Sequence, residues 1–556
     1  MRKLLYLCLL LMSLVACGGA QATPMVTARP TSADTVVTDT TVVNTAVVTT
    51  AATNTLISTA TTVLPTDTTA ATNTRPATNT AAPVIAQTSG GGSLPDGVLM
   101  VVESPTGKQL ALFNTDGTSI PVVDGLDRNA HVDVCGENSV TPDGRHTALF
   151  IGGPESGTLY LMNGTGMPVS LGEAEFLACV LGNARFNADG SRYAYISYEP
   201  GTSRQEFARG DLRLFDTATV TSNWTGENAV SFDISAAGIA YISFYTNNQG
   251  EADEAAINFY DYSAEREVAT LLPTADNCHY ASGVVRQIPT TDQLAVVMGQ
   301  KCDNETQMRW QLYTIDNQGS ATLAASDTQP GDFVVFARNN NIFTSPDGSF
   351  LYFTVPDGVT ANTVAIAAIS RSDVTVSVPV QRQALFPTFR GLTQAEPRLS
   401  PDGRWLSFTL TSPQNDNQLY TLDLLDRNNP PISISAGARG DAISALEFTP
   451  NSGRVVYVSG STEGGDNSLF ALDLAAGTES RVRRGTFATQ LVVAPDNERA
   501  AVSNYETAEE GTHTYQYLSV KIVNLNSNTE TTLFDDTTSP ADQRISAYPI
   551  AWVSGS

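Results

Sequence analysis

Four charged side chains stand at one position of a repeated pattern and are the first candidates for chemistry. Arg185, Asp233, Arg398 and Glu447 each lie two residues before a turn, on segments that we expect to be innermost strands. At that register they would point toward a common axis and could line a ligand channel. Their alternating sign favours ion pairs between neighbouring sheets, with the channel as the alternative.

A second candidate site lies in four long segments expected to be loops on one face, at residues 199–209, 246–254, 300–309 and 505–514. The carboxylates that make this face acidic are Glu251, Asp253, Glu254, Glu506, Glu509 and Glu510. Such side chains suit a cationic partner or a loosely bound Ca²⁺. The favoured interpretation is a solvated acidic rim that keeps the protein soluble.

The four histidines do not form a catalytic set. His131, His146, His279 and His513 fall in different repeats, so each is interpreted as a surface or packing residue. Neither a Gly-x-Ser-x-Gly nor a His-Glu-x-x-His motif occurs, and there is no P-loop or dinucleotide fingerprint. A zinc site at residues 278–279 would lack the paired ligand spacing that zinc requires. We therefore predict no catalytic residue, no cofactor and no metal centre.

Cysteine usage is typical of an exported domain. Four cysteines lie in the repeat region: Cys135, Cys179, Cys278 and Cys302. A hairpin turning near Thr291 would bring position 278 opposite position 303, which makes a 278–302 disulfide sensible. Positions 135 and 179 occupy similar places in adjacent repeats and could link two sheets, although the other two pairings are open. Each disulfide is expected to stabilise the fold by about 3 to 4 kcal/mol.

These candidates depend on a recurring turn that positions the strands around them. Copies with Ser or Thr, Pro, Asp and Gly occur at residues 141–145, 345–349 and 400–404, and degenerate copies at 187–190, 449–453 and 494–497. Pro presets such a turn, Asp or Asn caps it, and Gly supplies the positive φ. Recurrence at intervals of about 45 to 57 residues, each copy before an apolar run, is typical of a repeat architecture.

Nine hairpins of two apolar strands can be counted. Their first strands are expected to begin near Val98, Thr147, Tyr193, Ile239, Leu294, Leu351, Trp405, Val455 and Ala500. Many first strands, such as residues 98–102 and 294–298, are apolar at consecutive positions, so both of their faces must be covered. Blades packed face to face around an axis provide that cover.

This pattern resembles the WD40-like repeat, or PD40 repeat, of the TolB β-propeller and of the propellers in prolyl-oligopeptidase-type proteins. The resemblance covers about residues 94–556 and depends on the turns quoted above. It implies an all-β propeller of four-stranded antiparallel blades, with nine blades counted and eight, or two smaller propellers, as alternatives. TolB-like proteins carry an amino-terminal α/β domain and oligopeptidase relatives append an α/β-hydrolase domain, and we expect neither here.

The two ends of the repeat region complement each other. Residues 95–97 are a repeat turn without a preceding strand, and residues 548–553 are an innermost strand without a following hairpin. We predict that the C-terminal strand pairs with the strand beginning at Val98. Such pairing would complete one blade, close the ring and cover two open sheet edges.

The amino-terminal segment indicates export and lipid attachment. Arg2 and Lys3 precede a short apolar run that includes Cys8, and residues 14–17, Leu-Val-Ala-Cys, resemble the lipobox of bacterial lipoproteins. The resemblance implies removal of a signal peptide, residues 1–16, and acylation of Cys17, whose acyl chains would anchor the protein. An ordinary secretory signal is the alternative. No other segment is apolar over a length that spans a bilayer.

Residues 17–93 are predicted to be a disordered linker. They consist largely of Thr, Ala, Val, Asn and Pro, which cannot bury enough apolar surface to fold. A flexible chain of this length has an end-to-end distance on the order of 50 Å. The whole chain has 31 basic and 57 acidic residues and a formal charge of −26, which excludes a general binder of nucleic acid.

Together these features predict a lipid-anchored protein on the extracytoplasmic face of the cell membrane or outer membrane. Its propeller, residues 94–556, would be a scaffold that binds a protein, a glycan or another ligand of the envelope or extracellular space. One alternative is a propeller enzyme, a hydrolase or lyase acting on peptides or glycans, with its site over the central channel. Another is a TolB-like structural component of the envelope.

Overall fold

The computed structural model of the 556-residue chain describes residues 84–85, 96–136, 139–153, 156–164, 167–180, 183–198, 209–246, 251–274, 277–288, 291, 293–303, 307–330, 342–356, 364–370, 376–380, 398–411, 417–425, 432–435, 442–460 and 467–554. All of these lie in the compact unit Thr80–Ser556. The predicted signal peptide, Cys17 and, apart from residues 84–85, the predicted linker lie outside the described residues, and their assignments stay predictions.

The regular secondary structure of the described residues is almost entirely strand. The first twelve strands are β1 (Val84–Ile85), β2 (Gly97–Ser104), β3 (Gly107–Asn114), β4 (Ser119–Leu126), β5 (His131–Val134), β6 (His146–Gly152), β7 (Gly157–Asn163), β8 (Val169–Ala174), β9 (Ala184–Phe186), β10 (Arg192–Tyr198), β11 (Gly210–Asp216) and β12 (Thr221–Ile234). The next twelve are β13 (Gly238–Thr246), β14 (Ala252–Asp261), β15 (Arg266–Pro273), β16 (Cys278–Gln287), β17 (Leu294–Cys302), β18 (Gln307–Ile315), β19 (Ala321–Pro330), β20 (Ile342–Thr344), β21 (Phe350–Pro356), β22 (Val364–Ser370), β23 (Val376–Val380) and β24 (Arg398–Leu399). The last twelve are β25 (Trp405–Thr411), β26 (Asn417–Asp423), β27 (Ile432–Ser435), β28 (Ala442–Phe448), β29 (Arg454–Gly460), β30 (Asn467–Asp473), β31 (Thr478–Gly485), β32 (Phe487–Val493), β33 (Arg499–Glu510), β34 (His513–Asn524), β35 (Glu530–Phe534) and β36 (Ser546–Val553). Within the same ranges, helical structure is confined to α1 (Phe176–Val180) and a 3-10 turn at Ala541–Gln543.

The strands form the blades of an antiparallel β-propeller. Five separate sheets have four strands each, namely β5–β8, β20–β23, β24–β27, β28–β31 and β32–β35. A five-stranded sheet has the order β1-β4-β3-β2-β36, and a large sheet of eleven strands contains β9 to β19. The predicted all-β propeller built on four-stranded antiparallel blades is therefore confirmed.

The nine predicted hairpins are all present as antiparallel pairs, from β2–β3 to β33–β34. The prediction of nine separate four-stranded blades is wrong, because the described strands form five such sheets. The reason lies in β12, a strand of 14 residues that pairs with β11 at one end and β13 at the other. Ala252 of β14 also pairs with Tyr280 of β16, so three hairpins share one sheet.

The predicted closure between the two ends of the repeat region is confirmed. Val98 of β2 lies opposite Trp552 of β36, and Leu99 lies opposite Ala551. The C-terminal strand thus occupies the edge of the first blade that would otherwise be open. On the other side of that sheet, β1 pairs with β4, so two residues of the predicted linker form a strand.

The consecutive apolar residues of the first strands are explained by packing on both faces. Leu99 and Val101 of β2 pack with Leu149 of the second blade. Val98 and Met100 point to the opposite face and pack with Val520 of the last blade. Because side chains alternate along a strand, each of these strands contributes to two hydrophobic clusters.

The carboxylates of the repeated turns act as caps, as predicted. The Thr141 hydroxyl donates to Asp143 Oδ1 at 2.7 Å. In a later copy, Asp402 Oδ1 accepts hydrogen bonds from the Ser400 hydroxyl at 2.6 Å and from the backbone N–H of Arg404 at 2.9 Å. Gly144 and Gly403 have φ of +70° and +71°, which side chains with a Cβ rarely adopt.

Hydrogen bonds also join the turns of neighbouring blades. The backbone N–H of Asp402 donates to Ser452 Oγ at 3.0 Å, and that of Asn451 donates to Asn497 Oδ1 at 2.7 Å. The turns therefore lie together at one end of the blades, which we call the turn end. Each first strand begins at a turn, so its other end and the start of its partner strand lie at the opposite end of the blade, which we call the hairpin end.

Of the three pairings open to the four cysteines, the structure contains Cys135–Cys179 and Cys278–Cys302. Cys278 lies directly opposite Cys302 in the β16–β17 pair, whereas the expected register placed it opposite residue 303. Cys179 belongs to α1 and Cys135 follows β5, so the Cys135–Cys179 disulfide links the end of β5 to the helix between β8 and β9.

Candidate functional site

The four axial residues predicted from the sequence form two ion pairs between inner strands. Arg185 Nη1 of β9 lies 3.3 Å from Asp233 Oδ1 of β12, and the two side chains are 6% and 10% exposed. The backbone N–H of Gln287 donates to Asp233 Oδ2 at 2.7 Å. The guanidinium also stands 5.8 Å from the centre of the Phe232 ring. The expected ion pair therefore forms, although β9 and β12 belong to one sheet and not to two neighbouring sheets.

The second axial pair is more open to solvent. Arg398 Nη1 of β24 lies 3.0 Å from Glu447 Oε1 of β28, with side chains 56% and 33% exposed. Burial raises the pKa of the Glu447 carboxyl, and the charge of Arg398 opposes that rise. Salt screening weakens an exposed ion pair more than a buried one. The Arg398–Glu447 pair is therefore the more sensitive of the two to salt.

Asp133 of β5 belongs to the same axial group, although the sequence analysis did not identify it. Burial raises the pKa of its carboxyl, while the N–H of Val134 and the charges of His131 and Arg398 lower it. Arg398 thus acts on two carboxyl groups, those of Asp133 and Glu447. The alternation of polar and apolar residues over 131–134 was the available signal for an inner strand at this position.

The predicted acidic face divides between two hairpins of different sheets. Asp253 and Glu254 lie on β14, and Glu251 precedes that strand. Glu506, Glu509 and Glu510 lie on β33. Residues 199–208, 247–250 and 304–306 of the predicted loops lie outside the described residues.

The prediction of a loop at residues 505–514 is wrong, because β33 continues to Glu510 and β34 begins at His513. Tyr and Thr at these positions favour strand, and Gly511 with a φ of +62° allows a two-residue turn. Glu506 Oε1 lies 3.4 Å from Lys521 Nζ. Glu509 and Glu510 are exposed, and within the described ranges neither carboxylate has a hydrogen bond or ion pair.

The histidines lie on four different strands, β5, β6, β16 and β34, and do not converge in the part of the chain that the structure describes. His131 packs its ring 3.8 Å from that of Phe176, and His513 lies 6.3 Å from Tyr515. Burial lowers the pKa of His146. The interpretation of each histidine as a surface or packing residue stays a prediction.

Among the described residues, no group of three His, Cys, Asp or Glu side chains is arranged to hold a metal ion. The loosely bound Ca²⁺ considered for the acidic residues stays a prediction. Within the same residues, no helix has the length and apolar character required to cross a membrane.

No protein-family model matches the chain, and no curated protein matches its sequence. Solved structures with a similar backbone include oligogalacturonate lyase from Vibrio parahaemolyticus, with 10% identity and a TM-score of 0.34 over 80% of this chain and 86% of the lyase. A prolyl endopeptidase shows 12% identity and a TM-score of 0.40 over 71% of this chain, which spans about half, 53%, of that protein. TolB from Acinetobacter baumannii shows 13% identity and a TM-score of 0.25 over 67% of this chain and 86% of TolB. The propeller assignment rests on the strand order described above.

Proposed function

We propose that this chain is a lipid-anchored propeller of the cell envelope that binds a cationic protein partner at the hairpin end of its blades. The charged side chains at the axis and those at the hairpin end support this proposal in different ways. At the axis, Arg185 is paired with Asp233 and Arg398 with Glu447. A propeller whose axial charges are paired with each other is better suited to a scaffold than to a reaction centre.

The exposed carboxylates of β33 are the observation that carries the proposal. Glu509 and Glu510 are solvent-exposed at a hairpin tip, and no cation of the described residues neutralises them. The formal charge of the chain, −26, adds a field that attracts cationic partners and repels acidic ones. Electrostatic attraction of this kind raises association rates and favours partners of opposite sign.

The location of the protein in the cell is the second part of the proposal. The segment 14–17 supports cleavage before Cys17 and acylation of that residue. We expect Cys17→Ser to abolish incorporation of labelled fatty acid and to release the protein from the membrane fraction. Membrane retention of the Cys17→Ser chain without label would contradict lipid anchoring.

The binding function is tested by affinity capture from envelope extracts with the full-length chain and two charge variants. The test variant carries Glu509→Gln and Glu510→Gln at the hairpin end. The matched control carries Glu265→Gln and Glu498→Gln, two exposed residues at the turn end with the same change in charge. We expect the test variant alone to lose a basic protein that wild type and control capture in stoichiometric amounts. Equal capture of the same proteins by all three chains would overturn the proposal.

One observation favours a second candidate function, an enzyme with its site over the channel. Two carboxyl groups whose pKa values are raised by burial, Asp133 and Glu447, both interact with Arg398. Carboxyl groups with raised pKa can serve as proton donors in hydrolases and lyases. This alternative predicts turnover of peptide or glycan substrates that Asp133→Asn or Glu447→Gln abolishes without unfolding the protein. Turnover unaffected by both substitutions would exclude these residues from the chemistry.

A further inference from the structure

The hairpin β33–β34 extends beyond the sheet to which it belongs. Strand β32 pairs with β33 only as far as Asn504, and β35 pairs with β34 no nearer to the tip than Val520. Residues 505–510 and 513–518 therefore form a two-stranded extension, which we call the ribbon. The ribbon projects roughly 20 Å from the blade. The 3-10 turn at Ala541–Gln543 contacts both β33 and β34.

The inner edge of the ribbon presents unpaired backbone groups. The N–H of Tyr505 donates to the carbonyl of Thr486 at 2.7 Å, and the Thr486 hydroxyl donates to the carbonyl of Tyr505 at 2.7 Å. Because backbone groups alternate in direction along an antiparallel strand, those of Thr507 and Glu509 point the same way. Within the described residues, neither of these two has a backbone partner on that side. Beyond the end of β32, the edge of β33 is thus open to pairing with another strand.

The side chains beside this edge have a definite chemistry. Tyr505, Thr507 and Glu509 share one face of the ribbon, since they alternate along β33. Tyr505 is 47% exposed, and the Glu509 carboxylate is exposed two positions beyond Thr507. A cationic side chain opposite Thr507 would lie between an aromatic ring and a carboxylate, both of which attract it.

The outer edge of the ribbon, formed by β34, differs from the inner edge in its backbone hydrogen bonding and in its charge. The N–H of Leu518 on β34 donates to Ser546 Oγ at 3.1 Å, so part of that edge is occupied. Residues 513–518 of β34 include no carboxylate. The inner edge is therefore the one with both open hydrogen-bonding groups and negative charge.

We propose that an extended, basic segment of a partner protein adds to the β33 edge as a further strand. Its backbone pairs with Thr507 and Glu509, and a Lys or Arg opposite Thr507 contacts Tyr505 and Glu509. Strand addition of this kind takes its affinity from main-chain hydrogen bonds and its specificity from alternate side chains. The proposal rests on the proposed function, for which it names the mode of binding and the chemical class of the partner.

Two features of the molecule support this occupant. The β33 edge lacks the Lys and Pro residues with which exposed edges are commonly protected. The pairing of β1 with β4 shows that a blade edge of this propeller accepts an extended segment. Charge complementarity selects a basic partner over a second copy of this chain, whose formal charge is −26.

The probe for the test is a fluorescein-labelled, amidated heptapeptide with the sequence Thr-Lys-Val-Lys-Thr-Lys-Val, titrated against the full-length chain in mild detergent. Thr507→Pro removes the outward N–H and places a ring in the path of the added strand. Thr514→Pro makes the same change on the outer edge and is the matched control, because the Thr514 N–H also points away from its partner strand. We expect Thr507→Pro to weaken binding about tenfold and Thr514→Pro to leave it within about twofold. Equal urea midpoints for wild type and both variants establish that the propeller is folded in all three.

A second probe separates strand addition from charge attraction. The same peptide with N-methyl groups at alternate residues keeps its lysines and loses the main-chain donors along one edge. We expect it to bind about tenfold more weakly than the parent. Equal binding by both peptides, or by wild type and Thr507→Pro, would overturn the edge proposal.

The outcomes for the two proposals are distinguishable. If Glu509→Gln with Glu510→Gln abolishes binding while Thr507→Pro does not, the edge proposal fails and the cationic partner at the hairpin end stands. If no variant changes binding of the probe, both proposals fail. A dimer that light scattering detects in wild type and not in Thr507→Pro would identify a second copy as the occupant and overturn the basic segment.

Discussion

Val98 and Trp552 lie directly opposite each other in antiparallel register, although they belong to the first and last strands of the propeller sheets. Trp552 is 3% exposed and packs with Val98, Ala501 and Val520. The guanidinium of Arg499 stands 5.1 Å from the centre of its ring. One residue therefore joins the amino-terminal strand, the C-terminal strand and the last complete blade.

The closing strand should carry a large share of the stability. Replacing Trp552 by Ala leaves a cavity between two blades, and we expect a loss of about 3 to 5 kcal/mol in the free energy of unfolding. Leu271, which is 59% exposed on β15, is the control, and Leu271→Ala should change that free energy by less than about 0.5 kcal/mol. Urea denaturation, followed by far-UV circular dichroism, measures the free energy of unfolding of both variants. Similar midpoints for the two variants would contradict a packed closure.

The two axial ion pairs should respond differently to loss of one partner. Asp233→Asn removes the carboxylate that lies 3.3 Å from the buried Arg185 guanidinium, and we expect a cost of about 3 to 5 kcal/mol. Glu447→Gln removes the partner of Arg398, which is 56% exposed, and the expected cost is less than about 1 kcal/mol. Chemical denaturation at low and at 0.5 M salt tests this order. A larger effect at position 447 would contradict the burial difference between the pairs.

The loop between β35 and β36, which precedes the closing strand, should make the stability of the fold depend on pH. Burial acts to raise the pKa of Asp536, but hydrogen bonds from Ser539, Ile545 and Thr538 outweigh it, so that this pKa lies well below its ordinary value. A depressed pKa in the folded state means that the carboxylate stabilises the fold above about pH 4 and that this contribution is lost as the pH falls. We expect Asp536→Asn to cost about 1.5 to 3 kcal/mol at pH 7, and this cost to shrink progressively as the pH falls below about 4. A difference between wild type and variant that does not change with pH would contradict this assignment.

Each disulfide should contribute measurably through the unfolded chain. The Cys135–Cys179 bridge closes 44 residues and Cys278–Cys302 closes 24, so replacing each pair by Ser should cost about 4 and about 3.5 kcal/mol. Peptide mapping without reductant checks the pairing, and denaturation of each double variant checks the cost. Crossed pairings in the peptide map would contradict the arrangement of α1 beside β5.

Local patterns were sufficient to predict the hairpins and the closure. The Pro-Asp-Gly turns and consecutive apolar residues mark each first strand, and both signals depend only on neighbours in the sequence. The merging of sheets was not predictable in this way. The 14 residues of β12 contain no Pro and one Gly, Gly226, so nothing local marks a break between two blades. The pairing of its two ends with different strands is a result of the tertiary structure.

The candidate site was predicted in part for the same reason. The register of Arg185 and Asp233 before their turns was enough to place them on inner strands. Asp133 was missed because its strand, β5, is separated from the next turn, so the two-residue spacing does not apply. The ribbon was taken for a loop because its Glu residues have low strand propensity, whereas the opposite strand supplies Tyr515 and Tyr517 to stabilise it.

The central claim, closure of the propeller by strands from both ends of the folded unit, is tested most directly by a crosslink between β2 and β36. Glu103 lies opposite Ser546, and residues directly opposite in an antiparallel pair are close enough for a disulfide. In a chain with Glu103→Cys and Ser546→Cys, we predict that mild oxidation joins the two introduced thiols in nearly every molecule. A chain with Glu103→Cys and Ser527→Cys, whose second site lies in the exposed β34–β35 turn, should show no such link. Absence of the link in the first chain, or its equal formation in both, would contradict the closed propeller.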